Sequence, residues 1–319
     1  MANLNGLSRV STKQSAKFAA QNRVRITMTW LKKDKEAVKV YPNDIIFGMG
    51  LYEICVMAAM LVGLFLADRM ATKSGFSVAL QRHLIFAIVT AVIVGFFGAI
   101  LFQAVYDWIA TGEFSLRSGM TFYGGLIFGA AAFLAFWFLV GRCFKLQEET
   151  VKKFPDLANI AGCVLPLVHG IGRLGCFFAG CCHGAETTAW YGVEMDGVKV
   201  VPLQLFEALF LFAVSGALFA LYLYRKKRDR QGLHTFPIYL ITYGVWRFFI
   251  EYARADDRGQ TIVPFLTPSQ LVALLMIGIG IAYCAVWFIR KKSGKPQEKI
   301  CKNNVEEKEN GKSGSDAKV

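Results

Sequence analysis

"LIFAIVTAVIVGFFGAILFQAV", Leu84–Val105, contains no charged residue. A helix needs about 20 apolar residues to cross the hydrocarbon of a bilayer, and this stretch supplies them. Similar stretches lie at Ile45–Ala67, Phe122–Val140, Leu203–Tyr224, Phe236–Ile250 and Gln270–Ile289. A seventh, Leu157–Phe178, is weaker. It holds a proline and several glycines and reads either as a full span or as a broken, partly re-entrant one. The whole chain has 319 residues, is 55% hydrophobic and has a mean hydropathy of +0.41, which is too apolar for a soluble domain of this length. The sequence therefore predicts an all-α integral membrane protein with about seven transmembrane helices.

The net charge of +13 sits mostly in two tails. Met1–Asp44 carries nine Lys/Arg against three acids, and Arg290–Val319 carries nine against five. This divides the chain into a basic N-terminal tail (1–44), a polytopic membrane domain (45–289) and a charged, disordered cytoplasmic tail (290–319). The first twenty residues lack an apolar core, which argues against a cleaved signal peptide. Anionic lipid surfaces attract basic tails without any need for nucleic acid, so the expected partner is the bilayer.

Basic residues in the connections set the orientation. Arg69, Lys73 and Arg82 follow the first span, Arg142, Lys145, Lys152 and Lys153 the third, and Arg225, Lys226, Lys227, Arg228 and Arg230 the fifth. These loops read as cytoplasmic. The loops Tyr106–Met120, Gly180–Pro202 and Ala253–Thr267 carry few basic residues and read as outward. Seven spans then put the amino terminus outside and the carboxyl terminus inside, although the basic amino-terminal tail runs against that rule.

Charged groups at membrane depth are costly and mark sites or pathways. Tyr243, Arg247 and Glu251 share one helical face at i, i+4 and i+8. At 1.5 Å per residue, Arg247 lies roughly 18 Å from the inner end of its span, in the outer half of the bilayer. Arg173 also comes late in a span that starts inside, whereas Gln204, Glu207 and Tyr123 come early in spans that start outside. All therefore fall at one depth. Two arginine forks there suit a phosphodiester, with Glu207 and Glu251 as the carboxylates that hold them. Gly124, Gly125 and Gly129 in "TFYGGLIFG" read as helix-packing positions that also allow a ligand to touch backbone. His169 reads either as an interhelical hydrogen-bonding group or as a proton carrier.

"GRLGCFFAGCCHG", Gly172–Gly184, gathers Cys176, Cys181, Cys182 and His183. Strong zinc sites show paired C-x-x-C spacing, and adjacent cysteines rarely reach one ion comfortably. Inert packing is the expectation, with a disulfide as the alternative and neither metal nor cofactor.

Several stretches together resemble the prolipoprotein diacylglyceryl transferases of bacterial inner membranes. "SGMTFYGGLIFG" at Ser118–Gly129 is similar to that family's SGMxFHGGLxG, and "GRLGCFFAGCCHG" to its GRxGNFxNxExxG signature. "PLQLFE" at Pro202–Glu207 is similar to PSQLYE, and "YGVWRFFIEYARADD" at Tyr243–Asp257 to YGxxRxxxExxRxPD. The order holds along Ile45–Ile289. The resemblance implies transfer of a diacylglyceryl group from phosphatidylglycerol to the lipobox cysteine thiol of prolipoproteins, at the outer leaflet of the cytoplasmic membrane. It places Arg173 and Arg247 on the phosphate as catalytic and substrate-binding residues, and matches Gly184 to the glycine that ends the signature. Gly124, Gly125, Tyr243, Glu207 and Glu251 complete the implied substrate site.

Departures from the pattern are informative. Tyr123 stands where the family has the histidine of HGG, Cys176 where it has asparagine, Cys181 where it has glutamate, and Phe47 where the first span carries tyrosine. The chain is similar to a cysteine-rich variant of the family, and His169, one turn before Arg173, fits that variant as a substitute base. The catalytic set expected is thus His169, Tyr123, Arg173 and Arg247. A relative using the same lipid site for another acceptor or lipid is the alternative. A transporter would show inverted repeats and a midplane site, and neither is seen in the sequence.

Overall fold

The computed structural model describes residues 49–112, 114–117, 119–195, 197–228, 234–254 and 265–292. Among the described residues, seven long helices form the body. They are α1 (Leu51–Lys73), α2 (Val78–Thr111) and α3 (Phe122–Cys143), then, after the short α4 (Gln147–Lys152), α5 (Phe154–Phe178), α6 (Leu203–Lys227), α7 (Thr235–Ile250) and α8 (Pro268–Lys292). Six of these are long and apolar enough to cross a membrane; α7, with 16 residues, is the short one. At about 24 Å it falls short of the ~30 Å hydrocarbon thickness, and a 3-10 turn at Glu251–Ala253 extends it.

The segment Leu157–Phe178, open in the sequence between a full and a broken span, lies in the continuous helix α5 despite Pro166. α5 packs on α1, α6 and α7, so it is the central element of that half of the bundle. Its small residues allow this. A Cβ on Gly162 would meet Phe236 N and Thr235 C at 2.4 Å, and one on Gly170 would meet the Phe212 ring at 2.6 Å. Ser215 on α6 donates 2.8 Å to the Cys163 carbonyl, an interhelical bond of the kind membrane bundles use. α3 instead packs on α2. A Cβ on Gly124 would meet Phe102 Cβ at 2.4 Å and Gly98 O at 2.6 Å. Gly125 also faces α2, through Gly95 and Ala99. Helix contact excludes a side chain at Gly124, whereas at Gly125 the nearest atoms, Gly95 O at 3.5 Å and Ala99 Cβ at 3.6 Å, stand at ordinary contact distance.

Two expected boundaries move. α2 runs to Thr111, well past Val105, and overhangs a hydrocarbon layer at about 50 Å. α8 continues through Arg290, Lys291 and Lys292, which the charge pattern assigns to the tail. A basic last turn favours this, because cations are stabilising at a helix C-terminus. The rest of both tails, and Phe47, lie outside the described residues.

Between α5 and α6 the chain forms a small antiparallel hairpin, β1 (Val193–Met195) with β2 (Val198–Val200), turning at Gly197 with φ +76°. Bridges Glu186↔Val200 and Gly184↔Arg254 attach the hairpin segment to the end of α7. Gly184 has no room for a side chain: a Cβ would lie 2.8 Å from Ala253 O and 2.9 Å from Leu203.

Candidate active site

Five helices bring polar groups to one end of the bundle. α5 and α7 arrive there with their last turns, whereas α3, α6 and α8 start there, as the alternating chain direction requires. Glu207, fully buried in the second turn of α6, is the hub. Its Oε2 lies 3.0 Å from Arg173 Nε on α5 and 3.9 Å from Arg247 Nη1 on α7. Its Oε1 accepts 2.8 Å from Tyr243 Oη. Arg247 Nη2 pairs at 2.8 Å with Glu251 Oε2, one turn on, and donates 2.9 Å to Ser269 Oγ on α8. Tyr123 Oη at the start of α3 sits 3.0 Å from the same serine oxygen. His169 packs edge-on against Tyr243, ring centroids 4.9 Å apart.

Six sequence-selected residues are thus linked by direct contacts, His169, Arg173, Glu207, Tyr243, Arg247 and Glu251, and Tyr123 joins them through Ser269. Gly184 lies in the segment above them, in a packing role, and Gly124 and Gly125 face α2. The sequence reading missed Ser269 and Thr267. Thr267 Oγ1 donates 3.0 Å to Glu251 Oε1 and accepts 3.2 Å from Gln270 N, while Gln270 Oε1 accepts 3.0 Å from Thr267 N. That reciprocal pair is a capping box, with Pro268 at the first helical position. "TPSQ" carried the signal.

Three buried donors lack a hydrogen-bond partner among the described residues, Arg173 Nε, Trp246 Nε1 and Arg247 Nη1. Arg247 Nη1 is buried and has no hydrogen-bond partner among the described residues, because 3.9 Å to Glu207 is too long. Leaving a charged buried donor unmet is costly, so this position suits an anionic acceptor. A phosphate oxygen has the right charge and can share the planar fork.

The cysteines depart from expectation. The sulfur atoms of Cys176, Cys181 and Cys182 all lie within 4.8 Å of one another. Spacing alone argues against a shared ion. The three converge nonetheless, because Cys182 adopts a left-handed backbone, φ +64°, after the turn at Gly180, φ +66°.

Fold and cluster together define a polytopic α-helical membrane protein with a buried arginine–carboxylate network at one end of its bundle. The chain belongs to the prolipoprotein diacylglyceryl transferase family, whose sequence model matches residues 44–286. Among curated relatives it is 30% identical over 257 residues to phosphatidylglycerol–prolipoprotein diacylglyceryl transferase 2 of Clostridium perfringens, covering 76% of this chain and 90% of the relative. It is 30% identical over 250 residues to the transferase of Clostridium tetani, with 74% and 93% covered. The Clostridioides difficile transferase is 28% identical over 282 residues, with 86% and 99% covered.

Proposed function

We propose that this chain transfers the diacylglyceryl group of phosphatidylglycerol to the lipobox cysteine thiol of prolipoproteins, at the outer leaflet of a bacterial cytoplasmic membrane. Family membership over nearly the whole membrane body supports the reaction class. The carrying observation is the pair of buried arginines on one carboxylate, with an unmet donor on Arg247.

The substrate thiol attacks the glyceryl carbon, a sulfur–carbon bond forms, and the carbon–oxygen bond breaks with its electron pair leaving on phosphate. A thiol of pKa about 8.5 must lose its proton first. His169 takes that role, since Tyr123 has replaced the family's histidine and a tyrosine with pKa near 10 is a poor acceptor when protonated. Arg173 and Arg247 stabilise the charge that grows on the leaving phosphate, and arginine does so without surrendering a proton. Glu207 and Glu251 fix the two guanidiniums, Tyr243 orients Glu207, and Ser269 and Tyr123 hold Arg247 from the opposite side.

Basic helix ends support an outward placement of the cluster. Lys73, Arg142, Arg225–Lys227 and Arg290–Lys292 all stand at helix ends away from Arg173, and basic ends face the cytoplasm. Complementation of a bacterium depleted of its own transferase tests the reading. Restored lipoprotein maturation by the wild-type chain, and none by Arg247→Ala at equal membrane level, is the expected result.

A further inference from the structure

The three-cysteine cluster is unused by the reaction proposed above. Cys176 lies in the last turn of α5, and Cys181 and Cys182 follow once the chain has turned at Gly180. Cys181 N donates 3.2 Å to Cys176 O, and the Gln204 side-chain amide donates to the Cys181 carbonyl, so hydrogen bonds hold the Cys181 backbone on both sides. All three thiols are free, Cys181 exposed and the other two half-buried. Three sulfurs bound to one ion at about 2.3 Å stand roughly 3.8–4.0 Å apart. The observed separations, none above 4.8 Å, need only small side-chain rotations to reach that geometry.

The thiolate is the form that binds metal, and the segment after Cys182 is located by the bridge between Gly184 and Arg254. Exposure of Cys181 supplies an entry path.

We propose that Cys176, Cys181 and Cys182 form a three-thiolate site for a thiophilic d10 cation, Zn(II) or Cu(I). Three sulfurs complete a trigonal Cu(I) shell, or leave one position of a Zn(II) tetrahedron to water. Each thiol releases its proton to solvent as it binds, so loading acidifies the medium. The ion ties the end of α5 to the segment that Gly184 N and Ala185 N anchor on Val201 O and Ala253 O. It therefore fastens the helix end that carries Arg173, three residues before Cys176. The site does not depend on the transferase reading, and metal binding is measured without any activity assay.

The test uses the full chain, reduced and purified without metal in detergent under argon. Zn(II) and Cu(I) are each titrated against a competing chelator, and bound metal and its sulfur neighbours are counted by elemental analysis and X-ray absorption. One ion per chain with three sulfur neighbours is expected for at least one of the two metals. Cys176→Ser, Cys181→Ser and Cys182→Ser should each weaken binding at least about 100-fold, since losing a ligand costs more than losing its support. Cys143→Ser and Cys284→Ser, on α3 and α8, should bind as wild type. Failure of both metals to bind, retention of binding in any of the three serine variants, or a disulfide joining two of the three in the reduced protein overturns the site.

Discussion

Glu207 holds Arg173 and Arg247 together, and its removal separates structure from chemistry. Glu207→Gln leaves Arg173 buried without its anion, and breaking a buried pair costs about 3–5 kcal/mol. Its thermal midpoint in detergent should fall by several degrees. Arg247→Lys keeps the charge but loses the planar fork, so transfer should drop about 10²–10³-fold while the chain still inserts and purifies. Wild-type turnover in the lysine variant contradicts the phosphate assignment. For the proton, single-turnover transfer should show a rising pH limb set by the His169 imidazole. His169→Gln should flatten that limb and slow the step. Tyr123→Phe should lose only an orienting bond, about 1–3 kcal/mol if its partner stays buried, and keep the limb. Reversal of the two results makes Tyr123 the base. The arginines, Tyr243 and Glu251 were readable because helical spacing and span direction fix face and depth from sequence alone. Ser269 and Thr267 were not read, because hydroxyls are common and their partners sit across tertiary contacts, on α3, α7 and the 3-10 turn that follows it. The cysteine cluster was hidden for another reason: it depends on one left-handed residue, Cys182, that spacing does not reveal.

At the scale of elements, the site rests on close helix contacts made by glycine. A side chain at Gly162 meets backbone atoms of Thr235 and Phe236 at 2.4 Å, which cannot rotate away. Gly162→Val should push α7 from α5, costing at least about 1–3 kcal/mol as an overpacked substitution, and move Arg247 relative to Arg173. Gly216 on α6 has open space where a Cβ would stand, with nothing within 4 Å, so Gly216→Ala should leave the thermal midpoint unchanged or slightly raised. Equal losses in both variants contradict the packing account. Hydropathy located the spans because lipid demands long apolar runs. It left α5 open between a full and a broken span, because the glycines and proline that lower its hydropathy are what let several helices approach it closely.

For the whole molecule, chain direction and charge make one arrangement, with basic helix ends on one side and the arginine cluster on the other. A reporter fused after Lys292 should read cytoplasmic, and a single-cysteine label placed at Trp190, in a cysteine-free background, should react from outside. The opposite pattern overturns the outward placement of the site. The central claim is the reaction itself. Purified chain in vesicles of phosphatidylglycerol is incubated with a lipobox peptide, and the peptide is weighed by mass spectrometry. The account predicts a diacylglyceryl mass added to the cysteine peptide, with glycerol phosphate released in equal amount and nothing added to its serine counterpart. An unmodified cysteine peptide, with an inserted and folded enzyme in the same vesicles, contradicts it.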